Sequence, residues 1–74
     1  MMDIVPGNLY RLLVDHWCYT LDFGESVTIA EGELVLVTEV SRPVQGDYIL
    51  TILWDSKIFR FWTVGDELEL VEEG

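Results

Sequence analysis

The sequence has 74 residues, half of them hydrophobic, and its 14 acidic residues against four basic ones give a net charge of −10. This length predicts one domain over residues 1–74, and three residues each of Trp, Tyr and Phe are too many for a disordered acidic chain. Nucleic-acid and anionic-membrane binding both need clustered cations, so we expect neither. A basic partner protein fits the charge better, and the simpler interpretation is that the acidity keeps a small apolar domain soluble.

Cysteine content and hydropathy indicate the compartment. Cys18 is the single cysteine, which excludes an intrachain disulfide and is typical of a reducing environment. The opening residues lack a secretory signal pattern, and no apolar run reaches the ~20 residues that span a bilayer. We therefore expect a soluble cytoplasmic protein.

The first half of the chain predicts short strands. Pro6-Gly7 indicates a turn, and residues 8–14 alternate as a first strand with Tyr10, Leu12 and Val14 inward. A helix is the alternative, but seven residues are few for one. Residues 15–25 show no clean period and are interpreted as a mixed acidic and aromatic loop.

The strands that follow have clearer patterns. Residues 27–29 predict a short strand, and residues 31–33 a tight turn. Residues 34–41 are rich in β-branched side chains and predict a strand whose first half is apolar on both faces. A turn-rich connection over residues 42–47 contains Pro43 and Gly46.

Residues 48–62 predict a β-hairpin that supplies most of the core. If its turn is Asp55-Ser56, one face is wholly apolar and should point inward. The inward residues are Leu50, Ile52, Phe59 and Phe61. The outward face holds Ile49, Thr51, Leu53, Ile58, Arg60 and Trp62. Asp-Ser is a weaker turn signal than Asn-Gly, so a longer loop would shift this register.

The last residues predict a break and a closing strand. Residues 63–67 are interpreted as a helical turn, and residues 68–71 as a short strand with Leu68 and Leu70 inward. Residues 72–74 form a charged tail.

This order of elements resembles that of SH3-like small β-barrels. Residues 5–12 (VPGNLYRL) are similar to the first strand of prokaryotic SH3-like and KOW-type domains, and residues 32–37 (GELVLV) to the entry of the second strand. Residues 48–61 take the place of the third strand, distal hairpin and fourth strand. The resemblance implies an all-β fold, a small barrel of five to six strands with one short helical turn.

Departures from the peptide-binding members limit what this resemblance implies. The third strand opens with Tyr48-Ile49 instead of paired tryptophans, and Thr63 stands where a proline precedes the helical turn. Binding of Pro-rich segments needs an aromatic-walled groove, so that activity is not implied. The fold alone leaves the function open.

The chemistry-bearing residues do not form a convincing active site. His16 and Cys18 are the only His and Cys, whereas a structural zinc site needs four ligands. They also lack the orienting third group of a nucleophilic site. Adjacent carboxylates such as Asp66-Glu67 point apart on a strand. We therefore expect no enzyme activity, no catalytic residue, no cofactor and no metal.

The outward side of the hairpin is the more informative feature, because Trp and Arg dominate binding hot spots. The candidate interaction surface consists of Ile49, Leu53, Ile58, Arg60 and Trp62, with Trp17 and Tyr19 from the loop. In one interpretation this patch is exposed and binds a partner. In the other, residues 15–24 fold over it as a second core layer.

We therefore expect a non-catalytic protein–protein interaction module that binds a partner or a second copy of itself. One alternative is an acidic mimic of nucleic acid that inhibits a basic protein, which requires carboxylates arrayed on one surface. Another is an accessory subunit of a larger enzyme.

Overall fold

Seven strands and one 3-10 turn make up the computed structural model, which describes residues 4–42 and 45–72, apart from the side chain of Glu72. The strands are β1 (Leu9–Leu12), β2 (His16–Thr20), β3 (Ser26–Ile29), β4 (Leu34–Ser41), β5 (Asp47–Trp54), β6 (Lys57–Val64) and β7 (Leu68–Glu72), with the 3-10 turn at Gly65–Glu67. The fold is all-β as expected, but it has seven strands instead of five or six.

The strands form one antiparallel sheet in the order β3-β2-β6-β5-β4-β1-β7. The sheet curls into a half-barrel, so one face lines the core and the other points outward. Strands β5 and β6 are near the centre of the sheet, and β3 and β7 form its two edges.

The central hairpin has the predicted register. Ile52 pairs with Phe59, Leu50 with Phe61, and Trp54 with Lys57. Its two turn residues, Asp55 and Ser56, have φ angles of 52° and 63°, as a type I′ turn requires at both positions. The twist of a type I′ turn matches that of the strands, and the two-residue loop therefore persists without the favoured Asn-Gly sequence.

The core lies on the inner face of the curled sheet. The four inward hairpin residues predicted from the sequence are all buried, which confirms that face assignment. The core residues are Ile4, Tyr10, Leu12, Cys18, Ile29, Val35, Val37, Tyr48, Leu50, Ile52, Phe59, Phe61 and Leu68. They come from every strand, so each strand contributes to one continuous core.

Strand β4 has the predicted bounds and contains a β-bulge. The pairing with β5 shifts between Val37 and Glu39, because Thr38 is an extra residue. The Thr38 hydroxyl donates to the carbonyl of Thr51 at 3.1 Å. The bulge shifts the alternation by one residue, so that Glu39 faces outward opposite Thr51.

The loop prediction for residues 15–25 is wrong in its first half, where β2 forms. His16 and Cys18 are buried while Trp17 is exposed, so the segment does alternate. The alternation is hidden in the sequence because its outward residues are aromatic. The polar loop is reduced to the connection from β2 to β3.

Smaller predictions at the strand ends also need correction. β1 ends at Leu12, and Val14 is exposed instead of inward. In β7 Leu68 is buried as predicted, but Leu70 is exposed. Thr63 belongs to β6, so the helical turn begins two residues later than expected. The predictions for Pro43 and for residues 73–74 lie outside the described residues.

Candidate interaction face

Seven residues predicted as an interaction surface occupy the same side of the sheet, opposite the core. They are Trp17 and Tyr19 from β2, Ile49 and Leu53 from β5, and Ile58, Arg60 and Trp62 from β6. Pairing across the three strands brings them together, because Arg60 lies opposite Tyr19 on one side and Thr51 on the other. We call this set the outer face.

Strand β2 extends the outer face and does not cover it. It lies beside β6 within the sheet, where Tyr19 pairs with Arg60 and Thr20 with Phe59. The side chains of Trp17 and Trp62 consequently remain 62 % and 53 % exposed. The interpretation of residues 15–24 as a second core layer is therefore wrong for this structure.

A row of three aromatic rings runs along β2 into the turn that follows it. The ring centroids of Trp17 and Tyr19 are 5.5 Å apart, and those of Tyr19 and Phe23 are 5.1 Å apart in a stacked arrangement. Phe23 is 76 % exposed. The sequence-based surface omitted Phe23, because its position depends on the turn conformation and not on strand alternation.

The β2–β3 turn holds Phe23 in a conformation that few residues adopt. Its φ angle is 60°, in the left-handed region that disfavours bulky side chains. The Phe23 amide donates to the carbonyl of Thr20 at 2.9 Å. Asp22 Oδ1 accepts hydrogen bonds from the Thr20 hydroxyl at 2.7 Å and from the Gly24 amide at 2.9 Å.

These bonds to its carboxylate lower the pKa of Asp22, with the Thr20 hydroxyl as the main cause. A strained residue persists only where its surroundings over-determine it. The network around Asp22 does so here, and the result is an aromatic ring presented to solvent.

Arg60 is the cation at the centre of the outer face. Arg11 and Lys57 form ion pairs with Glu69 at 2.8 Å and with Glu25 at 3.1 Å. Within the described part of the chain, Arg60 forms no ion pair, and its Nε donates to Thr51 Oγ1 at 3.5 Å. Its guanidinium retains donors that can bind a partner.

A shallow cleft of about 180 Å³ lies beside Arg60. It is lined by Glu39, Val40, Ser41, Ile49, Thr51 and Arg60. The lining thus combines one carboxylate and one guanidinium with the apolar side chains of Val40 and Ile49.

The opposite side of β2 carries the residues considered for metal or nucleophilic chemistry. The Cys18 thiol donates to the carbonyl of His16 at 3.6 Å, and burial raises the pKa of Cys18 to about 12. The thiol is therefore protonated and inaccessible. Among residues 4–42 and 45–72, no group of three or more His, Cys, Asp or Glu is arranged to hold a metal ion.

His16 is packed in the core beside a small polar network. Its ring centroid is 4.5 Å from that of Phe61, and its Nε2 is 3.4 Å from both Thr63 Oγ1 and Glu67 Oε1. The Thr63 hydroxyl donates to the same Glu67 oxygen at 2.8 Å. Desolvation lowers the pKa of His16, and the nearby Glu67 carboxylate partly opposes that effect. The histidine is a satisfied core residue.

No helix long and apolar enough to cross a membrane occurs in the part of the chain that the structure describes. Comparisons with protein-family models, curated proteins and solved structures find no match to this chain.

Proposed function

We propose that the protein is a non-catalytic protein–protein interaction module whose contact surface is the outer face. The observation that carries this proposal is the exposure of Trp17 and Trp62 on neighbouring strands, with Arg60 beside them opposite Tyr19. Trp, Tyr and Arg are the residues most enriched in binding hot spots. Large rings on a hydrogen-bonded sheet also lose little conformational entropy on binding.

The finer fold assignment is an SH3-like small barrel. The half-barrel curl, the long β5–β6 hairpin and the 3-10 turn before the last strand support it. The β2–β3 hairpin takes the place of the long loop after the first strand. The fold serves as a rigid scaffold and does not by itself define the partner.

The net charge of −10 favours a partner protein with a basic surface. Two copies of this chain would repel each other unless apolar contact outweighs the charge. We therefore place a basic partner ahead of a homo-oligomer, and we place the complex in the cytoplasm.

The distribution of carboxylates gives less support to an acidic mimic of nucleic acid. Exposed acids of the described residues occur in several separate connections and on different strands. They are Asp15 after β1, Asp22 and Glu25 after β2, Glu31 and Glu33 after β3, Asp55 after β5, Asp66 after β6, and Glu39 and Glu69 within strands. A mimic needs an array on one surface, whereas the outer face is aromatic.

The test is affinity purification of the full-length chain from cells of the source organism, followed by mass spectrometry. The chain is compared with the double variant Trp17→Ala, Trp62→Ala and with Val71→Ala. Val71 is an exposed apolar residue on β7, at one edge of the sheet, and is the matched control. A partner that binds the outer face is retained by wild type and by Val71→Ala, and is lost from the double variant.

Trp62→Ala alone should weaken association by about tenfold or more, as hot-spot truncations do. It should cost less than about 1 kcal/mol of folding stability, because the ring is largely exposed. Circular dichroism and thermal unfolding check the fold of each variant. A partner retained equally by wild type and by the folded double variant would refute the proposal.

Self-association is measured separately by size-exclusion chromatography with light scattering. If the partner is a second copy, wild type is a dimer and the double variant is a monomer. If wild type remains monomeric at high concentration, the homo-oligomer is excluded and the partner is a different protein.

A further inference from the structure

The edge strand β3 has backbone groups that are available for pairing. The amide of Thr20 donates to the carbonyl of Glu25 at 3.0 Å, and the β2–β3 register continues from this pair. In an antiparallel ladder, alternate residues point both N–H and C=O toward the partner strand. Val27 and Ile29 therefore bond to β2, whereas Ser26 and Thr28 direct their N–H and C=O groups away from the sheet.

Among residues 4–42 and 45–72, no strand pairs with that side of β3. Its ladder partner is β2 alone, and no hydrogen bond to another described residue satisfies the outward backbone groups of Ser26 and Thr28. Natural edge strands are usually protected by shortness, charged side chains, proline or bulges. Strand β3 has only 4 residues, Ser26–Ile29 (SVTI), but it contains no charged side chain, proline or bulge.

The other edge of the sheet differs. Strand β7 carries Glu69, which forms an exposed ion pair with Arg11 at 2.8 Å. Charge on an edge strand hinders pairing with another chain. The contrast singles out β3 as the edge that accepts a strand.

The side chains of β3 favour the same role. Ser26 and Thr28 project on the side of the outer face, where they pair with Tyr19 and Trp17. Because both are small, they leave the aromatic row of β2 accessible from the direction of the edge. An added strand places every second side chain on this same side of the sheet, beside Ser26 and Thr28 and one strand away from the aromatic row.

Charge selects the kind of strand that can bind. Carboxylates lie at both ends of β3, with Asp22 and Glu25 before it and Glu31 after it, and Asp15 accepts a hydrogen bond from the Glu31 amide at 2.7 Å. Lys57 offsets only Glu25. A second copy would bring its own acidic residues to the same ends, whichever direction its strand ran. A strand flanked by Lys or Arg would complement these carboxylates.

We propose that β3 is a strand-addition site for an extended segment of a partner protein, with alternating small apolar residues and cationic ends. The inference rests on the proposed function and deepens it, because it specifies the binding mode and the chemistry of the partner. Backbone hydrogen bonds supply affinity in this mode, and side chains on the aromatic row supply specificity.

The probe is the synthetic decapeptide Lys-Lys-Thr-Val-Thr-Val-Thr-Val-Lys-Lys, with Glu in place of every Lys as the matched control. The full-length, ¹⁵N-labelled chain is titrated with each peptide and followed by NMR. The cationic peptide should slow amide exchange at Ser26 and Thr28 and should bind about tenfold more tightly than the acidic peptide. No binding of the cationic peptide, or shifts confined to other strands, would overturn the proposal.

Two variants test the role of the backbone. Thr28→Pro removes an outward N–H that β2 does not use, a change that edge strands tolerate. Thr28→Val keeps the N–H and the side-chain size. The peptide should bind Thr28→Pro about tenfold more weakly than it binds wild type. It should bind Thr28→Val as tightly as wild type. Equal binding to both variants would refute strand addition, and the exchange data on wild type decide the question if Thr28→Pro does not fold.

Affinity purification of the natural partner with these variants distinguishes failure of the edge site from failure of the proposed function. A partner lost from the Trp17→Ala, Trp62→Ala variant but retained by Thr28→Pro supports the outer face and refutes the edge site. A partner retained by the double tryptophan variant refutes the outer face itself. Loss from both variants, with both folded, supports both.

Discussion

At the residue scale, the neighbours Ile58 and Phe59 have different roles: Phe59 stabilises the fold, and Ile58 belongs to the proposed binding surface. They are adjacent in β6 but point to opposite faces, because strand side chains alternate. Phe59 is buried on the inner face of the sheet near Trp54, and the two ring centroids are 6.2 Å apart. Ile58 is on the outer face.

We expect Phe59→Ala to lower the free energy of unfolding by about 3–5 kcal/mol, as truncation of a buried phenylalanine does. That is a large share of the stability of a small domain, so the variant should be unfolded or nearly so. Ile58→Ala, the matched control, should cost less than about 1 kcal/mol. Urea unfolding followed by circular dichroism measures both, and the reverse order of effects would contradict the face assignment.

His16 makes stability depend on pH. Burial lowers its pKa in the folded state below the ordinary value of 6.5, so the folded chain binds a proton less readily than the unfolded chain. The contribution of neutral His16 is therefore fully present above about pH 6.5 and is lost as pH falls below it.

We expect the denaturant concentration at the unfolding midpoint of wild type to decrease as the pH is lowered from 7.5 to 5.5. The midpoint of His16→Gln should change less over the same range. Chemical unfolding at a series of pH values provides the measurement. A wild-type midpoint that rises on acidification, relative to the variant, would mean that the Glu67 carboxylate outweighs burial.

At the scale of elements, two turns use left-handed residues without glycine. Ser56 in the β5–β6 turn has a φ angle of 63°, and Phe23 in the β2–β3 turn has one of 60°. The left-handed conformation costs a residue with a Cβ about 1–2 kcal/mol. In the β5–β6 turn, the left-handed residues maintain the hairpin register. In the β2–β3 turn, the left-handed Phe23 exposes its aromatic ring.

We expect Ser56→Gly to raise the free energy of unfolding by about 1 kcal/mol and to leave partner binding unchanged. Phe23→Asn also suits the left-handed region, but it loses the stacking on Tyr19, worth about 0.5–1.5 kcal/mol. Its stability should therefore change by less than about 1 kcal/mol, while retention of the partner is reduced. Thermal unfolding and affinity purification of both variants test this, and a Phe23→Asn variant that retains the partner fully would remove Phe23 from the binding surface.

At the scale of the whole molecule, the net charge of −10 on 74 residues opposes folding by self-repulsion. Ion pairs offset little of it, because those of Arg11 and Lys57 are exposed. The core and the strand ladders therefore have to outweigh the repulsion.

Salt screens this repulsion, since the Debye length falls from about 30 Å at 0.01 M to about 3 Å at 1 M. We expect Tm to rise by a few degrees over that range. The variant Glu31→Gln, Asp66→Asn, with two fewer charges, should have a higher Tm at low salt and a smaller rise. Differential scanning calorimetry measures both, and a Tm that falls with salt would show that ion pairs outweigh repulsion.

The local pattern of apolar and polar residues was sufficient to predict the pairing of the central hairpin. Alternation from Leu50 to Phe61 around a polar pair of turn residues predicted the register and the direction of both faces, which the structure shows, although Thr51 on the outward face is buried. Short-range patterns carry this information because a two-residue turn leaves few alternative pairings.

The position of β2 was decided only by the tertiary structure. Its outward residues Trp17 and Tyr19 are as apolar as its inward ones, so no polar alternation marks the strand. Tyr19 also pairs with Arg60, far along the chain, and no local signal specifies such a pairing. The sequence by itself determined an all-β chain with a two-faced hairpin, and folding decided that β2 widens the outward face and leaves β3 as its edge.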